Sequence, residues 1–200
     1  VMAAALALRP AALPAQPASS ASSAPTDLVL HNQIDIVAPK AATVPFGGAG
    51  QWLVRIDQAG GFGCFMAAQY DNDLGIRFQF NPADNSNVIY VGSSNWGSLR
   101  AGERKSMSLS FDGRNTWSGS AQGIYLMGLH WLTLKGSGRA IFDEMKDARW
   151  FALKIDGLEL GAYDAGEIGR AVETLKQCQA VADKAVDPAA ARPAAVKPLN

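Results

Sequence analysis

Ser106-Met107-Ser108-Leu109-Ser110-Phe111 alternates without a fault between a small polar residue and a large apolar one. A period of two puts successive side chains on opposite faces of an extended chain, so Met107, Leu109 and Phe111 face a core and the serines face water. That is the signature of an antiparallel sheet with one wet side. Leu74 to Phe80 alternates in the same way, with Ile76, Phe78 and Phe80 inside. Gln51 to Asp57 offers Trp52, Val54 and Ile56 on one face, and Phe62 to Tyr70 offers Cys64, Met66 and Ala68. Asn87–Val91 and Arg149–Ile155 are two further strand candidates. Asp112-Gly113 and Asp156-Gly157 stand where tight hairpin turns need positive φ. Short strands at this spacing predict a mainly β, α+β fold: an antiparallel β-sandwich or a partly open barrel.

Two segments carry a helical period instead. Ala140–Ala148 reads as a short surface helix. From Asp164, the expected N-cap, with Glu167 three residues on, the apolar positions Ile168, Ala171, Val172, Leu175 and Cys178 share one face. Arg170, Glu173, Lys176 and Gln177 form the opposite face. This C-terminal helix is expected to pack across the open face of the sheet.

Proline and glycine set the domain limits. Of 10 prolines only Pro82 lies between Phe46 and Asp187, and all 20 glycines lie between Gly47 and Gly169. Of residues 1–24, 17 are Ala, Ser or Pro, a composition that buries too little apolar surface to offset its ordering entropy. The division is therefore 1–27, a signal-like or Ala/Pro/Ser-rich linker; 28–47, a linker or an edge strand carrying Leu28, Val29, Leu30, Ile34, Ile36 and Val37; 48–183, the β-rich domain; and 184–200, a disordered Ala/Pro tail. The apolar run Met2–Leu8 followed by small residues is read as the end of a secretory signal peptide, the alternative being a plain linker.

Cys64 and Cys178 fall on the inward faces of a strand and of the last helix. In an exported chain two such residues pair, whereas in a cytosolic one they remain buried thiols. Neither belongs to a Cys-x-x-Cys motif, so a redox pair is not indicated.

Candidate chemistry is sparse. Eighteen Lys+Arg balance 18 Asp+Glu, which excludes the basic excess of a nucleic-acid footprint. No apolar run reaches the length of a transmembrane helix. No metal site and no cofactor is implied. His130 is the single histidine of the 48–183 region, between Leu129 and Trp131, and reads first as a half-buried structural residue. Trp96 in the polar loop Ser93–Ser98, Arg100 beside it, Trp117 after a turn, and His130 with Trp131 are the candidate binding residues, because aromatic and Arg side chains make binding hot spots. The competing reading is that these tryptophans plug the ends of a small β core. Arg100, Arg104 and Lys105 are offset by Glu103, and such mixed charge reads as solvated surface.

The order of motifs carries a resemblance. Trp52, Gly63-Cys64, Asn95-Trp96-Gly97-Ser98-Leu99, Phe111-Asp112-Gly113, and the Ala-x-x-x-Leu-x-x-Cys helix from Ala171 to Cys178 follow one another along residues 50–180. This pattern resembles a group of periplasmic domains from Gram-negative, mostly alphaproteobacterial, proteins. In architecture it is distantly similar to the invasion-associated locus B proteins, which usually hold more cysteines. The resemblance implies an exported β-rich domain with a cysteine bridge, and it carries over no catalytic residue. The expected function is a periplasmic or secreted binding or structural domain without catalytic activity, its partner an envelope protein or cell-wall component. The alternatives are a small envelope hydrolase using His130 as base, or an inhibitor or immunity-type protein. Oligomeric state is left open.

Overall fold

The computed structural model describes residues 43–58, 63–71, 73–81, 84–126 and 128–185. The stretch Leu28–Val37 and the Ala/Pro-rich residues 1–27 and 186–200 lie outside the described residues. Ten strands form one antiparallel sheet: β1 Thr43–Ala49, β2 Trp52–Asp57, β3 Gly63–Gln69, β4 Leu74–Asn81, β5 Ser86–Ser93, β6 Arg104–Phe111, β7 Thr116–Leu126, β8 Leu129–Ser137, β9 Trp150–Ile155 and β10 Leu158–Asp164. Two helices accompany them, α1 Ala140–Met145 and α2 Ile168–Ala185. The fold is mainly β, as expected from the alternation. The strand order is β1-β2-β3-β4-β5-β8-β7-β6-β9-β10.

The sheet curls but does not close. Its two ends are joined by side chains rather than by a strand ladder. Trp52 Nε1 donates to the Ala165 carbonyl at 2.7 Å. Gln51 Nε2 and the Tyr70 hydroxyl both donate to the Asp164 carbonyl, at 3.0 and 2.9 Å. The Tyr70 ring meets Phe151 and Tyr163 at centroid distances of 5.7 and 5.0 Å. Burial and the nearby Asp164 charge push the Tyr70 hydroxyl above its ordinary range, keeping it a proton donor at this seam. This is the partly open barrel of the expected pair of architectures.

Strand order explains the most unusual connection. β5 is followed in sequence by β6, but its neighbour in the sheet is β8. Residues 94–103 must therefore carry the chain past β8 and β7 before β6 can begin. The loop is tied to β7 on the way: Gly102 N–H donates to the Gly123 carbonyl and Gly123 N–H to the Glu103 carbonyl, both at 2.7 Å. Leu99 turns inward and is buried.

The inner face matches the sequence pattern. Met107, Leu109 and Phe111 of β6 are buried while the intervening serines are not. Asp112-Gly113 and Asp156-Gly157 have φ of 49°, 65°, 50° and 79°, the left-handed values such turns require. β4 departs from the expectation of a wet outer face, since Arg77 and Gln79 are buried as well as Ile76 and Phe78. The cause is a second apolar cluster of Phe65, Ala67 and Trp131 on the outside of β3 and β8. The Arg77 guanidinium carbon stands over the Phe65 ring, 3.6 Å from its centroid, and the group pairs with Asp57 at 2.5 Å. Trp131 lies over Gly92, where a Cβ would come within 2.4 Å of the indole.

β7 and β8 have no counterpart in the sequence reading. The inner face of β7 is built from Gly119, Ala121 and Gly123, because Leu134 and the backbone of Arg100 occupy the space a larger side chain would need. β8 is apolar on both faces, Leu132 and Leu134 inside and Trp131 outside, so it shows no period of two.

α2 lies against β1, β2 and β3. Ile168, Ala171, Val172, Leu175 and Cys178 are all buried, as the helical period predicts. Each of the larger ones contributes roughly 1.5–3 kcal/mol relative to an exposed position. Cys64 and Cys178 form a disulfide with a Cα–Cα separation of 6.1 Å. Beside it, Gln179 Oε1 accepts the Cys64 backbone N–H at 2.9 Å, so a helix side chain satisfies a strand donor. The helix starts later than expected. Asp164 ends β10, and its carboxylate accepts the N–H of Gly166 at 2.9 Å, closing a turn before the helix rather than capping it. Glu167 pairs with Arg170 at 2.5 Å instead of reaching back.

Candidate functional site

The crossing loop 94–103 does not seal the barrel interior. Between it, the start of β6 and the β9–β10 hairpin lies a cavity of about 340 Å³. Its apolar lining comes from Trp96, Leu99, Leu132, Ile155, Leu158 and Leu160. Asn95, Ser98, Glu103, Lys105 and Asp156 supply the polar lining. Leu132 and Leu99 belong to the barrel core, whereas Leu158 is 70% exposed at the turn. A concave apolar space with a few polar groups at its edge is the common form of a small-molecule site.

Local structure fixes each wall. The two-residue Asp156-Gly157 turn pairs Ile155 with Leu158. That turn is anchored to β6, because Asp156 N–H donates to the Ser106 carbonyl at 2.8 Å and Asp156 Oδ1 accepts the Ser106 N–H at 2.9 Å. Trp96 is placed by a tight turn, its N–H on the Ser93 carbonyl at 3.3 Å and its own carbonyl accepting from Leu99 at 3.0 Å. The ring is half-buried against the core.

The polar edge is an ion cluster. Lys105 Nζ stands 3.0 Å from Glu103 Oε1 and 3.1 Å from Asp156 Oδ2. Glu103 Oε2 accepts the Arg100 backbone N–H at 3.0 Å. These contacts hold the Lys105 ammonium above its usual range, through Glu103 first and then Asp156. The Arg100 N–H and then Lys105 hold Glu103 below the usual carboxylate range, and Lys105 and then the Ser106 N–H do so for Asp156. All three groups are ionised at neutral pH.

The five candidate binding residues do not converge. Trp96 and Arg100 lie on the crossing loop, Trp96 on the cavity wall and Arg100 exposed. Trp117 is on β7 and donates from Nε1 to Glu144 Oε2 of α1 at 2.7 Å, so it joins that helix to the sheet. His130, the second residue of β8, stands opposite Tyr125, with their rings 5.0 Å apart. Its Nδ1 is buried and has no hydrogen-bond partner among the described residues. Trp131 is buried on the outer face, its Nε1 donating to the Leu126 carbonyl at 3.1 Å. Cavity residues that sequence reasoning passed over are Leu132, Ile155, Leu158, Leu160 and the Glu103–Lys105–Asp156 cluster. The mixed charge around Lys105 was visible in sequence but reads there as ordinary surface.

No group of His, Cys, Asp and Glu suited to holding a metal ion occurs among the described residues. No described helix is long and apolar enough to cross a membrane. No family model matches the chain, and no curated protein matches it. Among solved structures the chain is similar to the crystal structure of invasion associated protein b from Bartonella henselae, at 13% sequence identity, covering 69% of this chain and 98% of that chain with a TM-score of 0.46.

Proposed function

We propose that this chain is an exported, non-catalytic binding domain of the periplasm or the cell exterior, and that the cavity beneath the 94–103 loop receives an apolar group of an envelope component. The observation that carries the reading is that cavity: about 340 Å³, walled by Trp96, Leu99, Leu132 and Ile155, and lined by no histidine or cysteine. A site of that make-up can bury an apolar group. The disulfide supports export, since such bonds persist in oxidising compartments.

Nile red, a neutral apolar dye, tests the reading on the full oxidised chain. The expected result is a one-to-one complex with blue-shifted emission, lost in Leu158→Asp while near-ultraviolet circular dichroism is unchanged. Absence of dye binding, or equal binding by Leu158→Asp, overturns the reading. Non-reducing mass determination of exported material tests the location. A chain lighter by two hydrogens in the exported fraction is expected, and a reduced chain retained in the cytosol overturns it.

A further inference from the structure

The charges that line the cavity do not cancel. Glu103 and Asp156 are negative and Lys105 alone is positive, so the lining carries one excess negative charge. The surrounding ions leave that excess in place. Arg104 points to the opposite face of β6 from Lys105, because side chains alternate along a strand. Lys154 and Glu159 pair with each other at 3.5 Å. The Arg100 side chain is exposed and outside the lining, and its charge acts on Glu103 more weakly than that of Lys105.

Hydrogen-bonding capacity is skewed the same way. An ionised carboxylate offers about four lone-pair sites, and an ammonium has three N–H donors. Glu103 accepts from Lys105 and from the Arg100 N–H, and Asp156 accepts from Lys105 and from the Ser106 N–H. Both carboxylates therefore keep acceptor sites, whereas Lys105 keeps a single donor among the described residues. The side chains of Glu103 and Lys105 are each 32% exposed and that of Asp156 is 50% exposed, so a charged head beside them stays in contact with water. Sign of charge, not desolvation, then decides what is preferred. A cation meets two carboxylates against one ammonium, and an anion meets the reverse. Trp96 on the wall favours the same sign, since an indole face attracts a cation.

We infer that the cavity takes a cationic amphiphile, its aliphatic stem among Trp96, Leu99, Leu132 and Ile155 and its ammonium at the water-facing edge between Glu103 and Asp156. This rests on the binding role proposed for the cavity above and adds the chemistry of the ligand.

Three probes with one chain length separate the two levels of the argument: octylammonium, octanoate and 1-octanol, titrated calorimetrically into the full oxidised chain at pH 7. In about 0.01 M salt octylammonium is expected to bind at least about fivefold more tightly than octanoate, with octanol between them. In about 1 M salt the gap should fall below about twofold, because the edge is open to screening. Glu103→Gln keeps an acceptor for the Arg100 N–H and brings the lining to zero net charge, so it should remove most of the gap. Lys105→Gln raises the excess to two negative charges and should widen the gap. A gap below about fivefold at low salt overturns the head-group inference, and so does a gap that neither variant changes; octanol binding would then still leave the cavity as an apolar site. If none of the three binds, the cavity is not a ligand site, and the proposed function falls together with this inference.

Discussion

Asp112 and Asp156 clamp the two ends of one strand pair in a reciprocal arrangement. Asp112, in the turn after β6, accepts the N–H groups of Arg149 and Trp150 at the start of β9, at 3.0 and 3.1 Å. Asp156, in the turn after β9, accepts the Ser106 N–H near the start of β6 at 2.9 Å. Each turn thus satisfies donors that would otherwise be left without an acceptor at the end of the ladder.

This arrangement makes the fold acid-sensitive. Partial burial raises Asp112, but the N–H groups of Arg149 and Trp150 outweigh it, and the carboxyl ends below its unfolded value of 3.8. Asp156 is lowered from the same value, by Lys105 first and then by the Ser106 N–H. A carboxyl lowered on folding stabilises the native state above its unfolded pKa, and that stability is lost as pH falls through the folded value. Stability in urea is expected to hold down to about pH 4 and then decline. Asp112→Asn retains an acceptor and tolerates φ of 49°, so it should shallow the decline without abolishing the fold. Asp112→Ala should cost about 2 kcal/mol at pH 7. An Asp112→Asn profile that superimposes on the wild-type profile refutes the assignment.

The disulfide governs stability at a different scale. Cys64 and Cys178 are 114 residues apart, so the bond removes a large loop entropy from the unfolded chain. The entropic account gives about 4–5 kcal/mol. Cys64→Ala/Cys178→Ala should lose most of that in equilibrium urea unfolding. The loss should match that of the reduced wild type to within about 1 kcal/mol. A double variant as stable as the oxidised chain would mean that α2 is held by its apolar face alone.

The elements legible in the sequence share a physical property: one face apolar and the other polar. β6 shows it residue by residue, and α2 shows it through Ile168, Val172 and Leu175. The two cysteines were legible for the same reason, each lying on an inward face. β7 and β8 break the rule in opposite ways, the first by packing glycines inward and the second by being apolar on both sides. The cavity was illegible because its walls come from three separated stretches, around Trp96, Lys105 and Leu158. Only the strand order brings them together. Trp96 and Arg100 were the visible fragment. Trp117, His130 and Trp131 share their residue types but have their own packing partners elsewhere.

Gly92 and Gly97 test the outer cluster against the crossing loop. A Cβ at Gly92 would lie 2.4 Å from the Trp131 indole, whereas one at Gly97 would meet nothing within 4 Å. Gly92→Ala should force Trp131 off the sheet and weaken its bond to the Leu126 carbonyl, at a cost of about 1–3 kcal/mol. Gly97→Ala should change stability by less than about 0.5 kcal/mol. Chemical denaturation followed by tryptophan emission separates the two. Equal stability of the two variants would show that Trp131 moves aside at no cost.

Arg77 offers the sharpest test of the buried outer face. Its guanidinium is stacked on Phe65 at 3.6 Å and donates to Asp57 at 2.5 Å and to Gln79 at 2.6 Å. Desolvation pulls its pKa below the ordinary value, and the Asp57 charge opposes that pull, so the cation is retained because its partner is. Arg77→Met fills the space but leaves the Asp57 carboxylate without this counter-charge, and it should cost about 3 kcal/mol. Arg77→Lys keeps the charge but has no planar guanidinium to set over Phe65. It should recover about half of the loss, with the remainder measuring the shape of the guanidinium rather than its charge. Full recovery by lysine in thermal or urea unfolding would show that charge alone holds this face, and that the stacking on Phe65 is a consequence of it.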